Sequence, residues 1–126
     1  MIYSTQLTTT GNTLVFTSTT TGAPIGGSVT GQSNAITNII VCNTGTPSLT
    51  DENVNSANLT INLVNSSGVG GSDSSVANTI VKNLTVPAGE TVFFSDERIV
   101  LNAGDQIKAT ASTANLLSIT VSSLPV

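Results

Sequence analysis

An antiparallel β-sandwich of about eight short strands, jelly-roll or immunoglobulin-like, is the fold this chain predicts. Three observations carry that expectation. Thr, Ser and Asn supply 50 of the 126 residues (21, 16 and 13), and only ten residues are charged. Branched Thr is stiff at χ1 and packs well on a pleated surface, while Ser and Asn suit turns because their short side chains bond the local backbone. Apolar residues recur with a period of two and never with a sustained period of 3.6. Turn signals cut the chain at strand-like intervals.

The first 33 residues hold few large apolar side chains: Ile2, Tyr3, Leu7, Leu14, Val15, Phe16, Ile25 and Val29. Strands are expected at Ile2 to Thr8 and at Asn12 to Thr19. Thr20 to Gly31, with four glycines and Pro24, reads as a loop or arm. The organisation expected is one domain, with residues 1–33 as N-terminal strands and a Gly/Thr-rich arm and residues 34–126 as the sandwich core. Ala35 to Asn43 is apolar on both parities near its end, which marks a central strand. Thr44-Gly45-Thr46-Pro47 ends it. Ser48 to Ser56 is then a polar loop with room for a helical turn.

Leu59, Ile61 and Leu63 alternate with Thr60 and Asn62, the pattern of a half-buried strand. Gly68, Gly70 and Gly71 mark a break within Ser67 to Ser72. In Ile80 to Val86, Lys82 shares a parity with Ile80, Leu84 and Val86; an inward lysine suits an edge strand. Pro87-Ala88-Gly89-Glu90 fits a type I turn with Pro at the first central position and Gly at its last position. Adjacent Phe93 and Phe94 must face opposite sides of one strand. After the break Asn102-Ala103-Gly104-Asp105, alternation returns at Ile107, Ala109 and Ala111, and again at Leu117, Ile119 and Val121. Leu63, Ile80, Leu84, Ile107 and Ile119 are the expected core.

Few chemistries survive this composition. The formal net charge is −4, and Lys82, Arg98 and Lys108 stand apart, so clustered cations for nucleic-acid phosphates are missing. Cys42, the one cysteine, lies in the apolar run Ile39 to Cys42 and reads as a small buried hydrophobe. No apolar run reaches the length of a membrane helix, and the first residues have neither a basic start nor an apolar signal core. The expectation is a product kept soluble in a cytoplasm.

Without His, acid–base work would fall to carboxylates or lysines. Thr79 and Lys82 have the spacing of a hydroxyl–lysine pair, but on a strand residues three apart face opposite sides. Asp51-Glu52, Asp96-Glu97, Asp73, Glu90 and Asp105 read as solvated loop charges; no glycosidase pair is brought together by the sequence, and a calcium site using Asp96, Glu97 and Asp105 stays open as a minor alternative without regular ligand spacing. The expectation is a non-enzyme with no cofactor, no metal, no nucleic-acid ligand and no membrane partner. Candidate interface residues are Phe93, Phe94 and Tyr3, because aromatic anchors are enriched where proteins meet.

Three stretches carry a resemblance: Ala35 to Gly45, Asn78 to Thr91, and Ile99 to Ser112. Together they resemble a small β-sandwich family found among virion structural proteins of tailed bacteriophages, including phages of marine cyanobacteria. The resemblance spans roughly residues 34 to 123 and consists of strands and turns without a catalytic motif. It implies a virion component made in the host bacterial cytoplasm. The first expectation is a head decoration or cement protein bound to the major capsid protein on the capsid exterior. A neck, tail or baseplate subunit with tail or neck partners, forming a homo-oligomer, is the second. A glycan-binding module is the third.

Overall fold

The computed structural model describes residues 1–18, 32–65, 75–95 and 98–126. Nine strands stack as two antiparallel sheets: β1 (Ile2–Gln6), β2 (Thr13–Thr17), β3 (Asn34–Asn43), β4 (Ala57–Val64), β5 (Thr79–Val86), β6 (Thr91–Phe94), β7 (Ile99–Leu101), β8 (Gln106–Ala111) and β9 (Leu117–Pro125). A 3-10 turn, Val76–Asn78, precedes β5. Sheet A runs β1-β9-β3-β6, with β7 also on β3; sheet B runs β2-β8-β4-β5.

The pairing decides between the two sandwich types. If β6 and β7, which both lie along β3, count as one broken strand, the partners nest like a long folded hairpin. β4 pairs with β5, β3 with β6–β7, β2 with β8 and β1 with β9. Rolling that hairpin adds the contacts β3–β9 and β4–β8, which is the jelly roll. β3 is central, as its composition predicts. β1 and β2 belong to the sandwich, and this N-terminal part sends Leu7, Val15 and Phe16 into its core. The arm expected at Thr20 to Gly31 and the break at Ser67 to Ser72 fall outside the described residues.

The core lies between the sheets and is almost entirely aliphatic, with Phe16 its one fully buried ring among the described residues. Ile107 and Ile119 are fully buried in it, and Leu63 and Leu84 pack against it half-buried. Ile80 departs from expectation, being 46% exposed. The cause is a pair of register shifts between β4 and β5, between Leu59 and Ile61 and again between Ile61 and Asn62. At the first, Asn83 takes a left-handed φ of 50°, and Thr60 Oγ1 accepts its backbone N–H at 3.2 Å. Each extra residue reverses the parity of the strand beyond it. Val81, Leu84 and Val86 therefore face the core side, while Ile80 and Lys82 are exposed. Lys82 does lie on an edge strand, but it points to solvent and not inward.

Cys42 is the second departure. It is half-exposed, because β3 is buried on one face only: Ile39 and Val41 enter the core, and Ile40 and Cys42 take the outer face.

The turn after β5 also differs from the expected one. Glu90 N–H donates to Pro87 O at 3.1 Å, so Pro87 opens the turn, and Gly89 occupies its second central position with φ 78°. Positive φ there is the requirement of a type II turn. A Cβ on Gly89 would also lie 2.9 Å from Pro47 Cγ. Gly89→Ala is expected to destabilise the fold by roughly 1–3 kcal/mol, through both the backbone and the contact; urea unfolding monitored by circular dichroism checks it.

One end of the sandwich is tied by Asn43, the last residue of β3 and fully buried. Its Nδ2 donates to Asn55 O at 2.8 Å and to Val86 O at 2.9 Å, and its Oδ1 accepts from Gly45 N at 2.8 Å. Its backbone N–H donates to Glu90 O, and its carbonyl accepts from Gly89 N. At the other end of the same strand, buried Asn34 donates to Ser18 Oγ at 3.0 Å.

Candidate docking face

Strand alternation builds the most distinctive surface of the molecule. The five strands of sheet A contain no charged residue. Charge within the described strands is confined to Lys82 on β5 and Lys108 on β8, both in sheet B. Among the described residues, the strands that form the outer face of sheet A thus carry no charge, on a protein of net charge −4.

Register fixes its rows. Phe93 lies opposite Ile40, Ile40 opposite Thr120, and Thr120 opposite Ser4, where the two hydroxyls meet at 2.8 Å. One row along, Thr91, Cys42, Ser118 and Gln6 align in the same order. Toward the other end, Val100 and Leu124 flank Ala35. A bulge at Thr37 separates these rows, and its hydroxyl donates to Ser122 O at 3.1 Å. The centre of the face therefore sets the hydroxyls of β9 beside Ile40 and Cys42 of β3, and its most exposed apolar points are Phe93, Val100, Leu124 and Ile2, all more than half exposed.

The three aromatic residues singled out by sequence separate in space. Phe93 projects from the outer face, 62% exposed. Phe94, next along β6, turns inward and packs against the core, and Tyr3 does the same from β1. Beside Phe94, at the margin where half-exposed Ile80 of β5 meets β6 and β7, lies an apolar cavity of about 120 Å³ lined by Ile36, Ile39, Ile61, Ile80, Val81, Phe94 and Ile99. Its lining offers no side-chain hydrogen bond, so what it can accept is an apolar group. Ile40, Val100 and Leu124 also belong to the outer face, and sequence reasoning misses them. Their only signal is that they are aliphatics on the polar parity of their strands.

The outer face of sheet B contrasts with this. Asn58, Thr60, Thr85 and Thr110 line it, and Thr85 Oγ1 donates to Asn58 Oδ1 at 3.0 Å.

Among the described residues, no candidate catalytic pair is assembled. Thr79 Oγ1 donates to Ser75 O at 2.7 Å and accepts from Asn62 Nδ2 at 2.9 Å, and Lys82 is exposed on the far side of a bulge. Asp51 caps its own loop by accepting Asn53 N–H at 3.0 Å, and Glu52 beside it is exposed. Among the described residues, no three of His, Cys, Asp and Glu lie close enough to hold a metal ion. Asp73, Asp96 and Glu97 fall outside those residues. No described helix is long and apolar enough to cross a membrane. Compared with protein families, with curated proteins and with solved structures, the chain finds no match.

Proposed function

We propose that this chain is a structural component of a tailed-phage particle, a head decoration protein that docks on the capsid exterior through the outer face of sheet A. The observation that carries the reading is the confinement of strand charge to sheet B, which leaves sheet A uncharged with Phe93, Val100, Leu124 and Ile2 exposed. Docking such a face strips water from few strongly hydrated groups, and its Ser, Thr and Ala side chains lose little rotamer entropy. Phe93 supplies the rigid aromatic anchor that interfaces favour. The acidic remainder keeps the free protein soluble before it binds. Jelly rolls serve as viral shell domains and also as lectins, an analogy of architecture only. The single strongly exposed ring favours assembly over a sugar platform.

Gold labelling of intact particles with an antibody to this protein tests the reading. Gold over the head agrees with it. Gold at the neck or tail moves the same docking face to a neck, tail or baseplate role. If the antibody binds the purified protein and labels neither intact nor disrupted particles, the virion reading is wrong and glycan binding is the one to pursue.

The anchor can be tested alone. Phe93→Asp is expected to reduce particle occupancy at least about tenfold while barely moving the unfolding midpoint, since an exposed anchor contributes to binding and little to folding. Quantitative mass spectrometry of purified particles and thermal unfolding check the two halves.

A further inference from the structure

Four margins bound the two sheets, and three of them are blunted against pairing. β2 bears a register shift between Leu14 and Phe16. β5 bears two, plus exposed Lys82. The β6–β7 margin is split into strands of 4 and 3 residues, with exposed Arg98 before the second. Bulges, charges and short strands are the devices by which proteins protect edges. β1 has no bulge and no charged side chain, and the Met1 ammonium just before it donates inward, to Ser123 O at 2.7 Å. Its 5 residues are regular, uncharged and free of Gly and Pro, in unbroken register with β9.

Backbone direction tells which groups are available. Met1 O accepts from Ser123 N, and Leu7 N donates to Leu117 O, so the odd-numbered residues bond toward β9. Alternation then aims the N–H and C=O of Ile2, Ser4 and Gln6 away from the sheet. Among the described residues nothing pairs with them.

We propose that β1 pairs antiparallel with β1 of a second copy about a two-fold axis at Ser4, joining two A sheets into one. In that register Ser4 meets Ser4 of the second copy and Ile2 meets Gln6, giving about six new backbone hydrogen bonds. The sequence of β1 suits self-pairing: Ile2–Gln6, Tyr3–Thr5 and Ser4–Ser4 place no like charges opposite each other. Because no strand of sheet A is charged, two acidic molecules meet at this seam without charge opposing charge. The two-fold uses both β1 edges, so the assembly closes as a dimer and does not grow into a filament. A five-residue seam buries less than the roughly 1,200–2,000 Å² of a tight complex. The dimer is therefore weak in solution and fills when copies are held close together. This inference does not depend on the virion reading.

Sedimentation equilibrium on the full chain from about 10 µM to about 1 mM tests it, the range in which a weak dimer titrates. The expected result is a rise toward twice the monomer mass. Ser4→Pro removes a donor that faces the seam and not β9, so it is expected to raise the apparent dissociation constant at least about tenfold. Cross-linking tests the register independently, in a Cys42→Ser background. Ser4→Cys is expected to form an intermolecular disulfide, since directly opposed Cα atoms of a hydrogen-bonded pair lie about 5.5 Å apart. Ile2→Cys is not, because Gln6 faces it. A chain that stays monomeric to about 1 mM overturns the proposal and leaves β1 to a strand of another protein. So does a dimer indifferent to Ser4→Pro, or equal cross-linking by both cysteine variants.

Discussion

Ile119→Ala is expected to lower the unfolding free energy by about 2–5 kcal/mol, while Ile80→Ala costs less than about 1 kcal/mol. Both are isoleucines on strands, so chemistry alone predicts equal effects. Position separates them. Ile119 is fully buried on β9, between Thr5 of β1 and Val41 of β3, where the surrounding sheet is fixed by ladders on both sides and cannot collapse into a void. Ile80 stands in a bulge on an edge strand, 46% exposed, and its truncation removes little packed surface. Urea denaturation of the two variants gives the comparison. Equal losses would mean that the parity of β5 is not what the bulges make it.

Asn43→Ala is expected to cost about 2–4 kcal/mol, more than an apolar truncation of the same size at a strand end. The side chain removed bonds three backbone groups, Asn55 O, Val86 O and Gly45 N. Losing it strands these groups where burial makes an unmade hydrogen bond costly. The same residue holds the loop before β4, the end of β5 and the turn after it against the end of β3, so local exchange protection at this end should fall together. Asn43→Asp keeps the acceptor for Gly45 but sets a carboxylate against two carbonyls, and is expected to be no better than Ala at neutral pH. Thermal unfolding with hydrogen exchange on Asn43→Ala checks both claims; a loss near zero would remove Asn43 as the tie.

These residues also show how much of the fold is legible in the sequence. Strands β4, β8 and β9 are readable because their inward side chains keep strict alternation over several residues. β5 is not, because a bulge leaves no mark in a hydropathy pattern. Its sign is Asn83, which with Asn55 and Asn115 takes a positive φ, a conformation Asn tolerates better than most. Asn43 is invisible as a core tie because Asn at a strand end looks like the start of a turn. What it bonds comes from loops distant in sequence.

The docking face is partly legible. The opposite directions of Phe93 and Phe94 follow from strand geometry, but which of them faces out depends on the sheet that β6 joins. That sheet A is free of charge emerges only when strands are sorted into sheets, because Lys82 and Lys108 lie near its strands in sequence and in the other sheet in space. Sandwich is readable from pattern; jelly roll needs the pairings.

If the uncharged outer face of sheet A is the surface by which this protein docks, two single charges of the same sign must act differently. They are Phe93→Asp on sheet A and Asn58→Asp on the outer face of sheet B. Each variant is produced during phage growth, and its copy number on purified particles is measured by quantitative mass spectrometry. Docking through sheet A predicts loss of at least about tenfold for Phe93→Asp and wild-type occupancy for Asn58→Asp. Full occupancy by Phe93→Asp, or an equal loss from both, would contradict it.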